Sequence, residues 1–165
     1  MRVALAALVA GALAGQAAGA ASFSLASPAF KSQGSIPVEH TCDGRNVSPP
    51  LRWTAPPAAT RSLALLMDDP DAPGRTFTHW LVWNIPASVR SLPAGARPPL
   101  EGTNDAGRLG YLGPCPPSGV HRYVFRLYAL RAPLRLSRGA SRAEFLAALR
   151  GRVLAVARLV GRYGR

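Results

Sequence analysis

Hydrophobic and polar positions fall into short, sharply bounded blocks along this chain. Residues 62–67 (SLALLM) form a continuous apolar run that stops at Asp68-Asp69-Pro70, the pattern of a strand buried on both faces. Residues 78–85 (THWLVWNI) predict a second strand, ended by Pro86, and simple alternation puts His79, Leu81, Trp83 and Ile85 on one face. Residues 121–130 (HRYVFRLYAL) alternate more informatively. Arg122 and Arg126 share one face, which assigns His121, Tyr123, Phe125 and Leu127 to the inward one. Because residues i and i+2 lie roughly 6.7 Å apart along a strand, His121 and Tyr123 can line the same cavity.

One helix is predicted. Ser141 followed by Glu144 fits a capping box, Phe145, Leu146 and Leu149 supply an apolar stripe, and Gly151 stops the helix after Arg150. The tail, residues 153–163, has the Val and Tyr content of a last strand. The 16 Pro and 16 Gly residues leave few windows long enough for other helices. The pattern is mainly β, a single antiparallel β-sandwich with short peripheral helices.

The start of the chain reads differently. No charged residue stands between Arg2 and Lys31, and residues 3–15 are Ala, Val, Leu and Gly throughout. Ala18, Gly19, Ala20 and Ala21 then offer a small-residue cleavage site. The expectation is a signal peptide over residues 1–20, cleaved on export to the periplasm or the exterior, followed by one domain over residues 21–165. The apolar run is too short and too rich in Ala and Gly for a membrane anchor, which takes about 20 strongly apolar residues.

Composition sharpens this reading. With 165 residues, 48% hydrophobic and 17% charged, the chain has the material for one packed core and is not a disordered polymer. The formal net charge is +12, and every one of the 20 basic residues except Lys31 is Arg. These arginines are scattered singly, without a basic run or a nucleic-acid-binding motif, so specific nucleic-acid binding is not expected. The diffuse positive field favours acidic surfaces. In an oxidising compartment Cys42 and Cys115 would pair, the alternative being two buried free thiols; a zinc site would need closer ligand pairs than this sequence has.

Several polar segments gather at strand ends: Asp69-Pro70-Asp71-Ala72-Pro73, Thr78-His79-Trp80, and residues 113–123 (GPCPPSGVHRY). With Thr41-Cys42-Asp43-Gly44, Ser48-Pro49-Pro50-Leu51, Gly102-Thr103-Asn104-Asp105, Gly110-Tyr111 and residues 159–163 (LVGRY), their order and spacing resemble the phosphatidylethanolamine-binding protein family. The resemblance is to its bacterial branch of Raf-kinase-inhibitor-like proteins. It implies a large antiparallel sheet packed on a smaller one, with a small pocket for an anionic group at one end. By motif position it assigns Asp69, Asp71, His79, His121 and Tyr123 to the pocket and the loop 113–119, including Pro116 and Gly119, to its rim. Cys115 stands in that loop where animal members have no such cysteine.

Two carboxylates in an anion pocket repel the ligand unless their charge is engaged elsewhere. Hydrogen bonds from imidazole N–H groups would engage it, fix each tautomer, raise the His pKa and leave the other ring nitrogen facing a phosphate oxygen. Tyr123 adds a phenolic donor, and Pro70, Pro73, Pro116 and Pro117 stiffen the walls. Taken alone, Asp69-Pro70-Asp71, Asn104-Asp105 and Thr41-Cys42-Asp43-Gly44 are also ordinary turn sequences, and Trp53, Trp80 and Trp83 are core or wall residues. His40, where the bacterial motif has an aromatic residue, reads as a surface position or as a third imidazole near Cys42.

The expectation is therefore an exported, non-catalytic protein without cofactor or metal that binds a phosphorylated or otherwise anionic small molecule or a phospholipid headgroup, with an anionic lipid surface as a further partner. Inhibition of a protein target, such as a serine protease, is the alternative the resemblance implies. An enzyme is disfavoured: there is no GxSxG or HExxH sequence, and the one candidate nucleophile, Ser118, sits in a Pro-rich loop.

Overall fold

Every position of strand β3 (Ser62–Asp69) is buried, as its uninterrupted apolar run requires. It pairs on one side with β4 (Phe77–Pro86) and on the other with β6 (Val120–Leu130), which in turn pairs with β7 (Val153–Gly164). This antiparallel sheet, in the order β4-β3-β6-β7, stacks on a smaller one built from β1 (Leu25–Ala26), β2 (Leu51–Trp53) and β5 (Ser91–Leu92) in the order β1-β2-β5. The computed structural model describes residues 22–165, so the expected signal peptide over residues 1–20 lies outside the described residues.

Two apolar layers result. Between the sheets lie Leu51, Trp53, Leu63, Leu65, Met67, Trp80, Val82, Tyr123, Phe125 and Leu127. On the other side of the large sheet, Ala64, Leu66, Leu81, Trp83 and Leu130 are covered by α1 (Arg142–Leu149), the one α-helix among the described residues, through Phe145 and Leu149. The expected capping box closes its N-terminus: Glu144 N–H donates to Ser141 Oγ, and Glu144 Oε2 accepts from the Ser141 N–H at 2.7 Å. One 3-10 turn (Val38–His40) is the other helical piece among the described residues.

Simple alternation along β4 does not hold. Its register against β3 shifts twice, between Leu63 and Leu65 and between Met67 and Asp68. At the first shift Asn84 adopts φ 56°, a left-handed conformation Asn tolerates, and its amide exchanges hydrogen bonds with the Leu134 backbone. The bulges separate the four residues predicted to share a face. Leu81 and Trp83 point under α1, Ile85 joins Trp80 and Val82 between the sheets, and the His79 ring packs against Tyr123.

Both outer edges of the large sheet are hydrogen-bonded by irregular chain. Along β4 run residues 100–112, with Gly102 N–H donating to Leu81, Asp105 to Thr78 and Leu112 to His79 carbonyls. Along β7 run residues 33–36, with Gln33 N–H donating to Val160 and Ile36 to Arg162. The first of these straps carries Leu112 to the end of the sheet where the polar segments gather.

Candidate functional site

Three strand ends meet at one end of the large sheet: the last residue of β3, Asp69, lies opposite Phe77 at the start of β4, and β6 begins beside them at Val120 and His121. The alternation of β6 turns His121 and Tyr123 inward and leaves Arg122 outside, as its sequence predicts. Together with the strap and the proline loop these ends enclose a cavity of about 220 Å³ lined by Asp69, Ala72, Pro73, Phe77, His79, Leu112, Cys115, Pro116, Pro117, His121 and Tyr123. That volume falls short of the 300 Å³ or more typical of a drug-sized ligand.

Asp69 is buried and fully engaged. Its Oδ2 accepts from His121 Nδ1 at 2.7 Å, and its Oδ1 accepts from the Asp71 N–H at 2.8 Å in an Asx turn. A carboxylate without a proton only accepts, so His121 carries its hydrogen on Nδ1 and Nε2 is the nitrogen left for a ligand.

His79 is arranged differently from the expectation. Its Nδ1 donates at 2.8 Å to the Leu112 carbonyl, not to a carboxylate. Burial then lowers its pKa below the ordinary 6.5, with the Leu112 carbonyl and the charge of Asp69 opposing that shift. Its ring is held between Phe77, at a centroid distance of 4.9 Å, and the edge of Tyr123, at 5.2 Å. Tyr123 itself is completely buried, and among the described residues its hydroxyl makes no hydrogen bond of good geometry; the Cys115 backbone N–H is near enough to oppose, weakly, the rise in its pKa that burial causes.

Two of the residues predicted for the pocket stand outside its walls. Asp71 turns to Arg122, accepting from Nε at 2.8 Å, from Nη2 at 2.6 Å and from the Arg122 backbone N–H at 2.9 Å; the guanidinium holds its carboxyl down at about 2. The charge of the second carboxylate is thus engaged by a guanidinium instead of an imidazole. Gly119, at φ 70°, is an exposed turn residue beyond the rim. Pro116 is in the wall, and so is Cys115, joined to Cys42 by a disulfide with a Cα–Cα distance of 5.4 Å.

His40 is not a surface residue: it is 4% exposed, donates from Nδ1 to the Val47 carbonyl, and takes no part in the cavity. Asn104 and Thr41 are turn-formers. Asn104 Oδ1 accepts from Ala106 and Arg108, and Thr41 Oγ1 accepts from Asp43. Phe77 and Leu112 were not singled out by the sequence. Leu112 enters through the strap along β4, a long-range pairing without a local signal, and Phe77 through the bulged register at the start of that strand.

Comparisons with known proteins find relatives of the whole domain. A protein of Methanothermobacter thermautotrophicus named UPF0098 protein is 52% identical over 144 residues, covering 83% of this chain and 95% of its own. In Mycobacterium tuberculosis a relative whose name describes it as a lipoprotein, LppC, is 42% identical over 84% of this chain and 71% of its own. Among solved structures, the Chlamydia trachomatis homologue of phosphatidylethanolamine-binding protein superimposes with a TM-score of 0.83 at 37% identity, covering 87% of this chain and 97% of that one. Escherichia coli YbcL, described as a member of the mammalian PEBP family, does so with a TM-score of 0.81 at 33% identity, covering 87% and 98%. The family model for phosphatidylethanolamine-binding protein matches residues 26–164, which takes in both sheets, the helix and every wall of the cavity. This chain belongs to the phosphatidylethanolamine-binding protein family.

Proposed function

We propose that the protein is an exported, non-catalytic binding protein whose cavity takes a phosphate or a similarly small anionic group, carried by a phosphorylated small molecule or a phospholipid headgroup. One observation carries this reading: the buried Tyr123 hydroxyl, without a hydrogen bond of good geometry among the described residues, stands in the same wall as two imidazoles whose Nδ1 atoms are both engaged. An orphaned hydroxyl and two unused Nε2 positions form a hydrogen-bonding set that asks for a ligand. The acidic groups do not oppose it, because Asp69 is bound to His121 and Asp71 to Arg122. Export is supported by the disulfide and by the relative described as a lipoprotein. Against catalysis stands Ser118, exposed in its loop and without a side-chain hydrogen bond to any base among the described residues.

The sign of the pH dependence follows from His79. Free, it is held neutral by burial below the ordinary 6.5, and a neutral ring with Nδ1–H committed offers the ligand only an acceptor. An anion at Nε2 favours the protonated ring, so binding takes up a proton and affinity rises as the pH falls through and below about 6.5. Calorimetric titration with inorganic phosphate, and with sulfate as an anion whose charge is constant in this range, is expected to give tighter binding at pH 5 than at pH 8 for both. His121→Ala is expected to weaken phosphate binding about 10- to 100-fold, the range for a lost hydrogen bond to a charged group. Affinity for sulfate that is unchanged between pH 5 and 8 sinks the imidazole mechanism, and binding that survives His121→Ala intact sinks the site.

A further inference from the structure

We infer that a second cavity, centred on Glu101, is a binding site for a small primary ammonium group. This cavity, of about 130 Å³, shares no wall residue with the first and is flanked by Ser48, Arg97, Glu101, Gly110 and Tyr111. The strap along β4 builds it: Glu101 bridges to Val82, which turns its side chain toward the buried Trp80.

Glu101 is only 7% exposed, yet among the described residues no cation pairs with its carboxylate. One oxygen, Oε1, accepts from the Trp80 indole Nε1–H at 2.7 Å, while Oε2 has no hydrogen-bond donor. Buried carboxylates are ordinarily paired, so one without a counter-charge on a cavity wall is an anomaly that needs an explanation. A second observation points the same way. Ser48, 2% exposed and on the wall of the same cavity, has a buried hydroxyl without any partner. Gly110, at φ +85°, passes so close that a Cβ there would stand 3.2 Å from both carboxylate oxygens, so the residue at this point leaves the carboxylate uncovered.

The donor set selects the ligand. The unused groups are a carboxylate oxygen, which only accepts, and the Ser48 hydroxyl, which can accept as well as donate, whereas the Tyr111 hydroxyl is spent on the His40 carbonyl at 2.6 Å. An anion is repelled by Glu101. A multivalent metal needs more oxygen or nitrogen ligands than one carboxylate, and no group of three His, Cys, Asp or Glu placed to hold a metal ion occurs among the described residues. An ammonium brings three donors and one positive charge, and the cavity, about four water volumes at roughly 30 Å³ each, admits a short alkyl chain with it. Arg97, exposed at the edge, is the competing cation supplied by the chain itself.

Methylammonium chloride is the probe, and the Trp80 indole N–H resonance, one hydrogen bond from Glu101, is the reporter. At constant ionic strength methylammonium is expected to shift it saturably, while tetramethylammonium, which has no N–H donor, leaves it in place. Glu101→Gln, which keeps the acceptor for Trp80 but removes the charge, is expected to weaken binding at least tenfold, Ser48→Ala several-fold, and Arg97→Ala to tighten it. Absence of a saturable shift, an equal response to tetramethylammonium, or undiminished affinity in Glu101→Gln overturns the assignment. If Glu101→Gln does not fold, Ser48→Ala decides on the same terms. Phosphate binding at the first cavity is measured separately and does not enter this test.

Discussion

Replacing Cys42 and Cys115 by serine will lower the melting temperature by roughly 10–15 °C, the largest single effect expected for a change on this molecule. The two cysteines stand 73 residues apart, and closing a loop of that size removes about 4 kcal/mol worth of chain entropy from the unfolded state. The cross-link joins the segment after the 3-10 turn to the proline loop, where the Cys42 N–H also donates to the Pro114 carbonyl at 3.0 Å. Because Cys115 is in the cavity wall, the same change is expected to weaken phosphate binding at temperatures where the protein is still folded. Calorimetric melts of the double serine variant, and of the native chain with and without reductant, check the size. A drop below about 3 °C means that the hydrogen bonds around the link already close the loop without it.

The second large effect concerns Asp68, the neighbour of the cavity carboxylate. Adjacent residues of a strand face opposite ways, so Asp69 enters the cavity while Asp68 emerges on the helix side of the sheet. There it is 2% exposed and is held by Arg126 at 2.6 Å and by Arg142, from α1, at 3.3 Å. The two guanidiniums are partly exposed and lose little by being left alone, whereas the carboxylate is trapped. Replacing both arginines by methionine is therefore expected to destabilise by about 3–5 kcal/mol, the usual result of stranding one buried charge. Adding Asp68→Asn to that variant removes the stranded charge and should recover much of the loss. If the triple variant melts no higher than the double one, lost packing by the arginine stems, and not charge, is the cause.

The elements that the sequence displayed were those governed by local pattern: the continuous burial of β3, the two-residue period of β6 and the cap at Ser141; the disulfide rests instead on the chain's having two cysteines. Less visible were the features that depend on chain brought from elsewhere. Nothing near His79 announces that its partner is the Leu112 carbonyl, and nothing near Asp71 prefers Arg122 to an imidazole until the strand ends are assembled. The bulges of β4 defeat alternation because Asn84 uses a left-handed backbone that its neighbours give no reason to expect. In the sequence Glu101 is a single acidic residue among loop-forming neighbours, and only its burial against Trp80 makes it unusual.

The straps along the outer strands have a consequence for life at high concentration. A bare strand edge is a template on which another chain can add its own strand. Here residues 100–112 occupy the outer backbone groups of β4, residues 33–36 occupy those of β7 from Val160 to Arg162, and the outer strands of the smaller sheet are only two residues long. Among the described residues only the first half of β7, residues 153–159, keeps its outer backbone groups unpaired, so the edge on which another chain could add a strand is confined to that stretch. Unfolding events that peel a strap away lengthen that edge and open the chain further to aggregation.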